Sequence, residues 1–177
     1  MADVGLMDFF TISTEANAAD FGDLTVVRKQ LGVTSNGKTD RGIFQGGNLT
    51  GDTIDFVTIS SEGNAVDFGN LTTTRAAGAG CSNGTDDRGL HGGGFASNVI
   101  DFVTISSEGN ATDFGDLTGT RSQGKATSSG TNDRGFFGGG NTAQIDFVTI
   151  STEGNAADFG DMTISRNEGA GCSDGFL

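Results

Sequence analysis

The sequence predicts an all-β protein made of four copies of one unit, and each unit contains four short antiparallel strands. Three observations lead to this prediction. A motif recurs at intervals of 47, 46 and 45 residues, apolar and polar residues alternate within each copy, and turn sequences rich in glycine, asparagine and aspartate separate the apolar runs. No segment has the apolar spacing of a helix of three turns. The 177 residues are therefore assigned to a single domain, residues 1–177.

The repeated motif begins with an Asp-Phe pair, and a second Asp-Phe pair followed by glycine comes 12 residues later. The four starting residues are Asp8, Asp55, Asp101 and Asp146. An arginine follows 20 residues after each start, and these first arginines are Arg28, Arg75, Arg121 and Arg166. Three copies continue to an Asp-Arg-Gly sequence and a glycine cluster, and the second arginines are Arg41, Arg88 and Arg134. All variation in repeat length falls after the glycine cluster, which indicates a surface loop there.

The strands of a unit can be assigned in order from the second copy. Residues 54–60 are a β-branched run typical of a strand buried on both faces, and residues 66–71 form a second strand. Residues 76–82, which are almost all small, form a third strand, and residues 88–91 form a fourth. Turn sequences lie between them. Four strands in one repeat of this length are typical of a β-propeller blade.

The glycine cluster, the two aromatic positions and the first arginine keep a constant order along the chain. Across one junction between copies these residues are Gly92, Gly93, Phe102, Phe114, Leu117 and Arg121. Their order resembles the kelch repeat, which implies a propeller of four-stranded blades. Phenylalanine stands where kelch repeats usually carry tyrosine and tryptophan, and the usual proline is missing. The Phe- and Gly-rich sequence of the repeat is also similar to repeats in structural and fibre proteins of tailed bacteriophages, marine ones especially.

Both ends of the chain fall inside a repeat, so we expect the N- and C-termini to complete one blade and close a four-bladed ring. The expected blades are residues 28–74, 75–120 and 121–165, with residues 166–177 and 1–27 forming the composite blade. The small-residue strand should lie nearest the axis, where bulky side chains have no room. Closure would also hide edge strands. Two alternatives stay open: an eight-bladed ring of two chains, and a piece of a larger propeller.

The two cysteines occupy the same repeat position in copies that would face each other across the ring. A disulfide or shared metal ion between Cys81 and Cys172 is therefore one hypothesis, and we favour two small thiols that simply fill inner-strand positions. The acidic Asp-Phe-Gly-Asp corners could offer oxygen ligands to calcium. Their spacing is not that of a calcium loop, and Asx turns explain them.

The remaining charged positions favour structural roles. We expect the first arginines to bind loop carbonyls or to pair with aspartates of neighbouring blades, with Arg75 and Asp67 as one example of such charges. The second arginines receive the same interpretation. His91, the only histidine, is aligned with Gln45 and Gly138 and expected on the surface. No nucleophile, base and orienting group recur together, so the sequence predicts no enzyme activity, no cofactor and no metal site.

Composition limits the partners. The net charge of −13 opposes contact with nucleic-acid backbones or anionic lipid, and no apolar run approaches the ~20 residues of a membrane-spanning helix. With 31 glycines but no proline, the chain is not collagen. The first residues lack the pattern of a secretory signal, so we expect synthesis in the host cytoplasm and a place in the virion, extracellular when assembled.

Constant strand register combined with one variable loop per copy predicts a non-enzymatic module that presents loops from a rigid scaffold. The bacteriophage resemblance implies a virion structural or adhesion protein of the fibre or decoration type. Its expected partners are other virion proteins, a host-surface glycan or receptor, or a second copy of the chain. The kelch resemblance implies the alternative, an intracellular protein-interaction scaffold. The candidate contact residues are Asn48, Leu49, Asp52, Phe95, Asn98, Asn141 and Gln144, and Phe95 is favoured as an aromatic in a polar loop.

Overall fold

The structure is a computed structural model that describes residues 5–48, 51–130 and 132–173. Within these ranges it contains strands and no helix, which confirms the predicted all-β class. The strands form one sheet of two strands and three sheets of four. The described part of the chain has no helix that could span a membrane.

Each four-stranded sheet is an antiparallel meander whose strands follow chain order. The first full sheet consists of β3 (Gly32–Thr34), β4 (Arg41–Gln45), β5 (Thr53–Thr58) and β6 (Val66–Asn70). The second consists of β7 (Ala79–Cys81), β8 (Arg88–Gly92), β9 (Ser97–Thr104) and β10 (Thr112–Arg121). The third consists of β11 (Lys125–Ser128), β12 (Arg134–Gly138), β13 (Thr142–Thr149) and β14 (Ala157–Arg166). The two-stranded sheet is a hairpin of β1 (Leu6–Phe9) and β2 (Ala19–Asp23).

The sheets stack in chain order. The short strands β3, β7 and β11 lie side by side, as expected for the strands made of small residues. Apolar residues fill the spaces between the full sheets. Phe68 and Leu71 of the first sheet pack with Ile105 of the second, and Phe114 of the second packs with Ile150 of the third. The core is therefore divided into layers, each shared by two neighbouring sheets.

Hydrogen bonds join each outer strand to a turn of the following sheet. The Gly109 amide donates to the Phe68 carbonyl at 2.8 Å, and the Ala111 amide donates to the Asn70 carbonyl at 2.8 Å. The hairpin makes the same two bonds with the first full sheet, and the second sheet makes them with the third. Gly69 permits this approach, since it has φ of +146° and a Cβ there would lie 2.5 Å from the Gly109 oxygen.

A buried ion pair completes each of these junctions. Arg75 lies 2.8 Å from Asp101, and both side chains are almost fully buried. Asp101 also accepts hydrogen bonds from the Thr72 amide and hydroxyl, at 3.0 and 2.6 Å. The equivalent pairs are Arg28–Asp55 at 2.7 Å and Arg121–Asp146 at 2.6 Å. Burial lowers the pKa of the Arg75 guanidinium, and the neighbouring Asp101 opposes that shift.

The predicted partner of Arg75 is therefore wrong, although the predicted structural role of Arg75 is confirmed. Asp67 is exposed on β6, whereas Asp101 comes from the strand that the connecting segment crosses. Arg75 donates to the His91 carbonyl of β8 at 3.2 Å. The predicted binding of loop carbonyls is confirmed by Arg28 and Arg121, which donate to the Gly46 and Gly139 carbonyls at 3.0 and 3.3 Å. The sequence suggested Asp67 because Asp67 and Arg75 both recur at constant positions of the repeat. The fold instead brings in an aspartate from the next repeat.

Two of the second arginines, Arg41 and Arg88, hold neighbouring sheets together. The Arg88 guanidinium lies 4.6 Å from the centre of the Phe102 ring, which is a cation–π arrangement. It also donates to the Ile150 carbonyl at 3.2 Å and to Glu153 at 3.1 Å, both in the third sheet. Arg41 makes the same set of contacts with the second sheet. The structural role predicted for the second arginines is confirmed for Arg41 and Arg88, while the Arg134 guanidinium contacts only the Phe147 ring of its own sheet among the described residues.

The expected ring does not close within the described residues. Phe159 on β14 is 53% exposed, whereas its counterparts Phe68 and Phe114 are each 3% exposed. Arg166 and Asp8, which would form the fourth buried pair, are both exposed. The hairpin packs against the first full sheet and β14 lies in the last one, so the two ends of the stack are separate. Residues 167–173 form no strand, so the described parts of residues 166–177 and 1–27 do not form a composite blade.

We predict that replacing Asp101 with asparagine lowers the free energy of unfolding by about 3 kcal/mol or more, because it leaves the buried Arg75 charge without its counter-ion. Urea denaturation of the purified protein measures this change. Asp67→Asn is the matched control, and it should change stability by no more than about 0.5 kcal/mol because Asp67 is exposed. Equal effects of the two substitutions would contradict the assigned pairing.

Candidate binding surface

The loops between the second and third strands of the full sheets carry the predicted contact residues. Each loop is bonded to the segment that follows the outer strand of its own sheet. In the first sheet, the Arg75 amide donates to the Gly51 carbonyl at 2.8 Å, and the Gly47 amide donates to the Arg75 carbonyl at 3.1 Å. In the second sheet, the Gly94 amide donates to the Arg121 carbonyl at 3.0 Å. Since the sheets stack in order, these loops follow one another along one edge of the stack, which we call the loop edge.

Phe95 is the most exposed aromatic side chain of the loop edge, at 54%. Its backbone is fixed, because the Phe95 amide donates to the Ala76 carbonyl at 2.9 Å and the Ser97 amide closes the turn onto Gly94 at 3.0 Å. Ala96 adopts φ of +54° within this turn. The ring is therefore presented to solvent by a constrained backbone.

A shallow depression of about 480 Å³ lies beside this ring, at the junction of the first and second sheets. Besides Phe95, it is lined by Gly47, Asn48, Gly51, Thr74, Arg75 and Ala76. Thr74 is exposed, whereas Ala76 is buried, so the depression combines a polar border with an apolar floor. Thr74 was not among the predicted residues, because its contact with the loop depends on how the connecting segment folds back. Its position next to a first arginine was the available signal.

Whereas Phe95 is exposed, four of the other candidate residues are half-buried: Asn48, Asp52, Asn98 and Gln144. The Asn48 side chain accepts the Lys29 amide at 2.9 Å, so it anchors the loop to the preceding connection. The Asp52 carbonyl accepts the Leu71 amide at 2.7 Å, and the Gln144 carbonyl accepts the Arg121 guanidinium at 2.7 Å. Asn98 is half-buried on β9.

Two further candidates complete the predicted set. Asn141 is exposed, with φ of +73°, and its amide faces the Arg166 carbonyl at 3.3 Å. Leu49 lies outside the described residues. The structure therefore brings Phe95 and Asn48 to one depression and places Asn98, Asn141 and Gln144 elsewhere on the second and third sheets.

His91 is buried, at 1% exposure, so its predicted surface position is wrong. Burial lowers its pKa to about 3, and the charge of Arg75 acts in the same direction. The imidazole is therefore neutral at physiological pH. A Cβ on Gly32 or on Gly78 would lie 2.3 Å from one of the ring nitrogens, so two glycines make the space that the ring fills.

The strand register explains the error. Gly80 pairs with His91, just as Ala126 pairs with Phe137 and Val33 pairs with Phe44. The counterparts of His91 are thus Phe44 and Phe137, one position before the Gln45 and Gly138 of the earlier alignment. Counting from the Asp-Arg-Gly sequence instead of from the glycine cluster would have found this apolar position.

Only one of the two cysteines fills an inner-strand position as expected, since Cys81 lies on β7 and Cys172 lies in no strand. The acidic corners have a structural role. Cys81 and Cys172 are unbonded, with Cys81 buried and Cys172 exposed, so the hypothesis of a bridge between them is wrong. Burial raises the pKa of the Cys81 thiol to about 12. No group of three or more potential metal-binding side chains occurs among the described residues. The Asp20 side chain accepts the Gly22 amide at 3.0 Å, which is the Asx turn expected at these corners.

No protein-family model matches the chain, and no curated protein sequence matches it.

We predict that His91 makes the protein less stable in acid. Its pKa is about 3 when folded and 6.5 when exposed, so the unfolded state binds the proton first as the pH falls below 6.5. The contribution of His91 to the free energy of unfolding should fall by about 1.4 kcal/mol per pH unit within that window. It should be constant above pH 7.

His91→Phe, which installs the residue found at positions 44 and 137, tests this prediction. Urea denaturation at several pH values should show the variant gaining stability relative to the parent protein as the pH falls from about 6.5 to about 4.5. Parallel pH profiles for the two proteins would show that His91 is not the group that titrates.

Proposed function

We propose that the protein is a non-enzymatic virion module of the structural or adhesion type that binds a host-surface glycan through its loop edge. The single observation that supports this most is Phe95, which is more than half exposed although its backbone is held by hydrogen bonds. An exposed aromatic side chain on a constrained loop loses little conformational entropy on binding. Such residues are the usual anchors of a recognition surface.

The chemistry of the depression suits a carbohydrate. The face of the Phe95 ring can stack against the apolar face of a sugar, and the exposed Thr74 lies on the border where sugar hydroxyl groups would lie. The site is open and shallow, so it suits the end or side of a glycan chain better than a small molecule that needs an enclosed pocket.

The scaffold supports this role because it fixes the loops relative to one another. Buried arginine–aspartate pairs and backbone bonds join each sheet to the next, and the loops are bonded to the same connecting segments. The buried charged groups at the junctions thus pair with one another, and His91 is neutral and packed between glycines. These groups serve the scaffold rather than a reaction.

The proposed assignment to a virion comes from the likeness of the repeats to those of bacteriophage structural and fibre proteins. A protein of this type needs a repeated, rigid body and variable surface loops. The constant junctions and the length differences between glycine cluster and third strand meet both needs.

A glycan array probed with the purified protein tests the proposal. We predict that the protein is retained by a defined set of glycans, and that Phe95→Ala weakens this binding at least about tenfold because the stacking surface is lost. Val66→Ala is the control, since Val66 is equally exposed, at 53%, but lies on β6 away from the depression.

Two results would count against the proposal. Glycan binding that survives Phe95→Ala would move the site away from this depression. Absence of glycan binding, together with recovery of one protein partner from host extract, would favour the interaction-scaffold alternative.

A further inference from the structure

The two ends of the stack expose surfaces that are buried at every internal junction. The hairpin exposes one face, which we call the head, and it includes Phe10 and Ile12. The third full sheet exposes the face turned away from the second sheet, which we call the tail face. It includes Phe136, Ile145 and Phe159.

The tail face is an apolar surface built to receive another sheet. Phe159 is 53% exposed, while Phe114, its counterpart in the second sheet, is 3% exposed beneath the third. A groove of about 290 Å³ lies next to it, lined by Phe136, Ile145 and Met162 and bordered by residues 167–171. At the internal junctions, the corresponding positions hold the valine and isoleucine side chains of the following sheet.

The backbone at Gly160 also lacks the neighbouring turn that the equivalent glycines contact. It has φ of +139°, close to the +146° of Gly69 and the +140° of Gly115. A Cβ on Gly69 or Gly115 would lie about 2.5 Å from the turn of the next sheet, but a Cβ on Gly160 would meet nothing within 4 Å. Gly160 therefore keeps a conformation that at the other positions makes room for a neighbouring turn.

The head carries the side chains that such a face accepts. Phe10 and Ile12 are 66% and 94% exposed. Their counterparts in the third sheet, Val148 and Ile150, are 3% and 0% exposed because they insert into the core shared with the second sheet.

The charged groups of the two ends are complementary as well. Arg88 pairs with Glu153 at the internal junction, and the corresponding residues at the ends are Arg134 on the tail face and Glu15 on the head. Within the residues that the structure describes, the Arg134 guanidinium lies 4.6 Å from the centre of the Phe147 ring but has no carboxylate partner. Glu15 is exposed.

The residues equivalent to the buried ion pair of each junction are also separated between the two ends of the stack. Arg166 and Thr163, on the tail face, are the counterparts of Arg121 and Thr118, which both bind Asp146. The matching aspartate on the head is Asp8, and it is exposed. Bringing head and tail face together would therefore supply the ion pair and hydroxyl bond that every internal junction has.

Residues 167–173 already lie where an inner strand of a following sheet would begin. A Cβ on Gly171 would lie 3.1 Å from the Ala126 carbonyl on β11. Gly80 on β7 faces the Val33 carbonyl on β3 in the same way, with a distance of 2.3 Å. The segment thus repeats the placement of β7 beside β3.

We propose that the tail face binds the head of a second copy of this chain, through a junction of the same kind as those inside the molecule. The contact is heterologous, since the two partners use different surfaces. Val148 and Ile150 would have their equivalents in the partner's Phe10 and Ile12, and Arg134 would pair with the partner's Glu15. The hairpin of the same copy does not serve, because it packs at the opposite end of the stack.

Exchange of the charges at this junction tests the proposal. Glu15→Arg places two arginines together at the contact, and Arg134→Glu places two glutamates together. Each variant alone should self-associate about tenfold more weakly than the parent chain. An equimolar mixture of the two should recover the parent's association, because the head of each variant carries the charge opposite to that on the tail face of the other variant.

Sedimentation velocity measures association from about 1 μM to about 1 mM, with enough salt to screen the net charge between copies. All proteins carry Cys172→Ser, which prevents disulfide formation through the exposed thiol. Glu62→Arg is the matched control. Glu62 has the same repeat position as Glu15 but lies at an internal turn, so this variant should associate like the parent.

Ile12→Asp provides a second test, which does not depend on charge exchange. Ile12 is 94% exposed, so its replacement leaves the fold of one copy intact while placing a carboxylate in the apolar part of the contact. Association should be lost. The proposal is overturned if the parent chain stays at its monomer mass of 18.0 kDa over the whole range, if the mixture fails to recover association, or if Ile12→Asp associates like the parent.

Discussion

The structure depends on one buried ion pair that recurs at each junction between sheets. An arginine from the connecting segment and an aspartate from the third strand of the next sheet lose almost all contact with water, and a threonine supplies two more hydrogen bonds to the carboxylate. Burying charge is costly unless the pair is well formed, so the pair tolerates only one register between neighbouring sheets. The apolar layers supply most of the stabilisation, while the ion pair fixes the alignment.

The repeat allowed much of this arrangement to be predicted from sequence. The intervals between Asp55, Asp101 and Asp146 located the strands, and the small residues of β7 indicated which strands lie together. The partner of Arg75 could not be predicted in this way. Repeat phasing places several aspartates at constant distances from each arginine, and only the crossing of the connecting segment over β9 selects Asp101.

The other differences have similar physical causes. His91 looked like a surface residue because its neutral, buried state depends on the space left by Gly32 and Gly78, which come from two different sheets. Closure of the ring was inferred from the matching phases of the two ends. The two ends of the chain begin and end at matching positions of the repeat, which shows that their surfaces are compatible. Whether these surfaces meet within one chain depends on the angle between successive sheets, and that angle cannot be predicted from the repeat sequence. The depression beside Phe95 likewise arises where two sheets meet, so Phe95 and Asn48 were identified in advance, whereas Thr74 of the connecting segment was not.

The layered core has a consequence for how the molecule would open. Each layer is shared by adjacent sheets alone, so cooperativity passes from neighbour to neighbour as in linear repeat proteins. The first full sheet is covered by the two-stranded hairpin on one side and by the second sheet on the other, and the second is covered by a full sheet on both sides. The hairpin and the third sheet are each covered on one side. Unfolding should therefore proceed inwards from the ends, and amide hydrogens of β8 and β9 should exchange with solvent last.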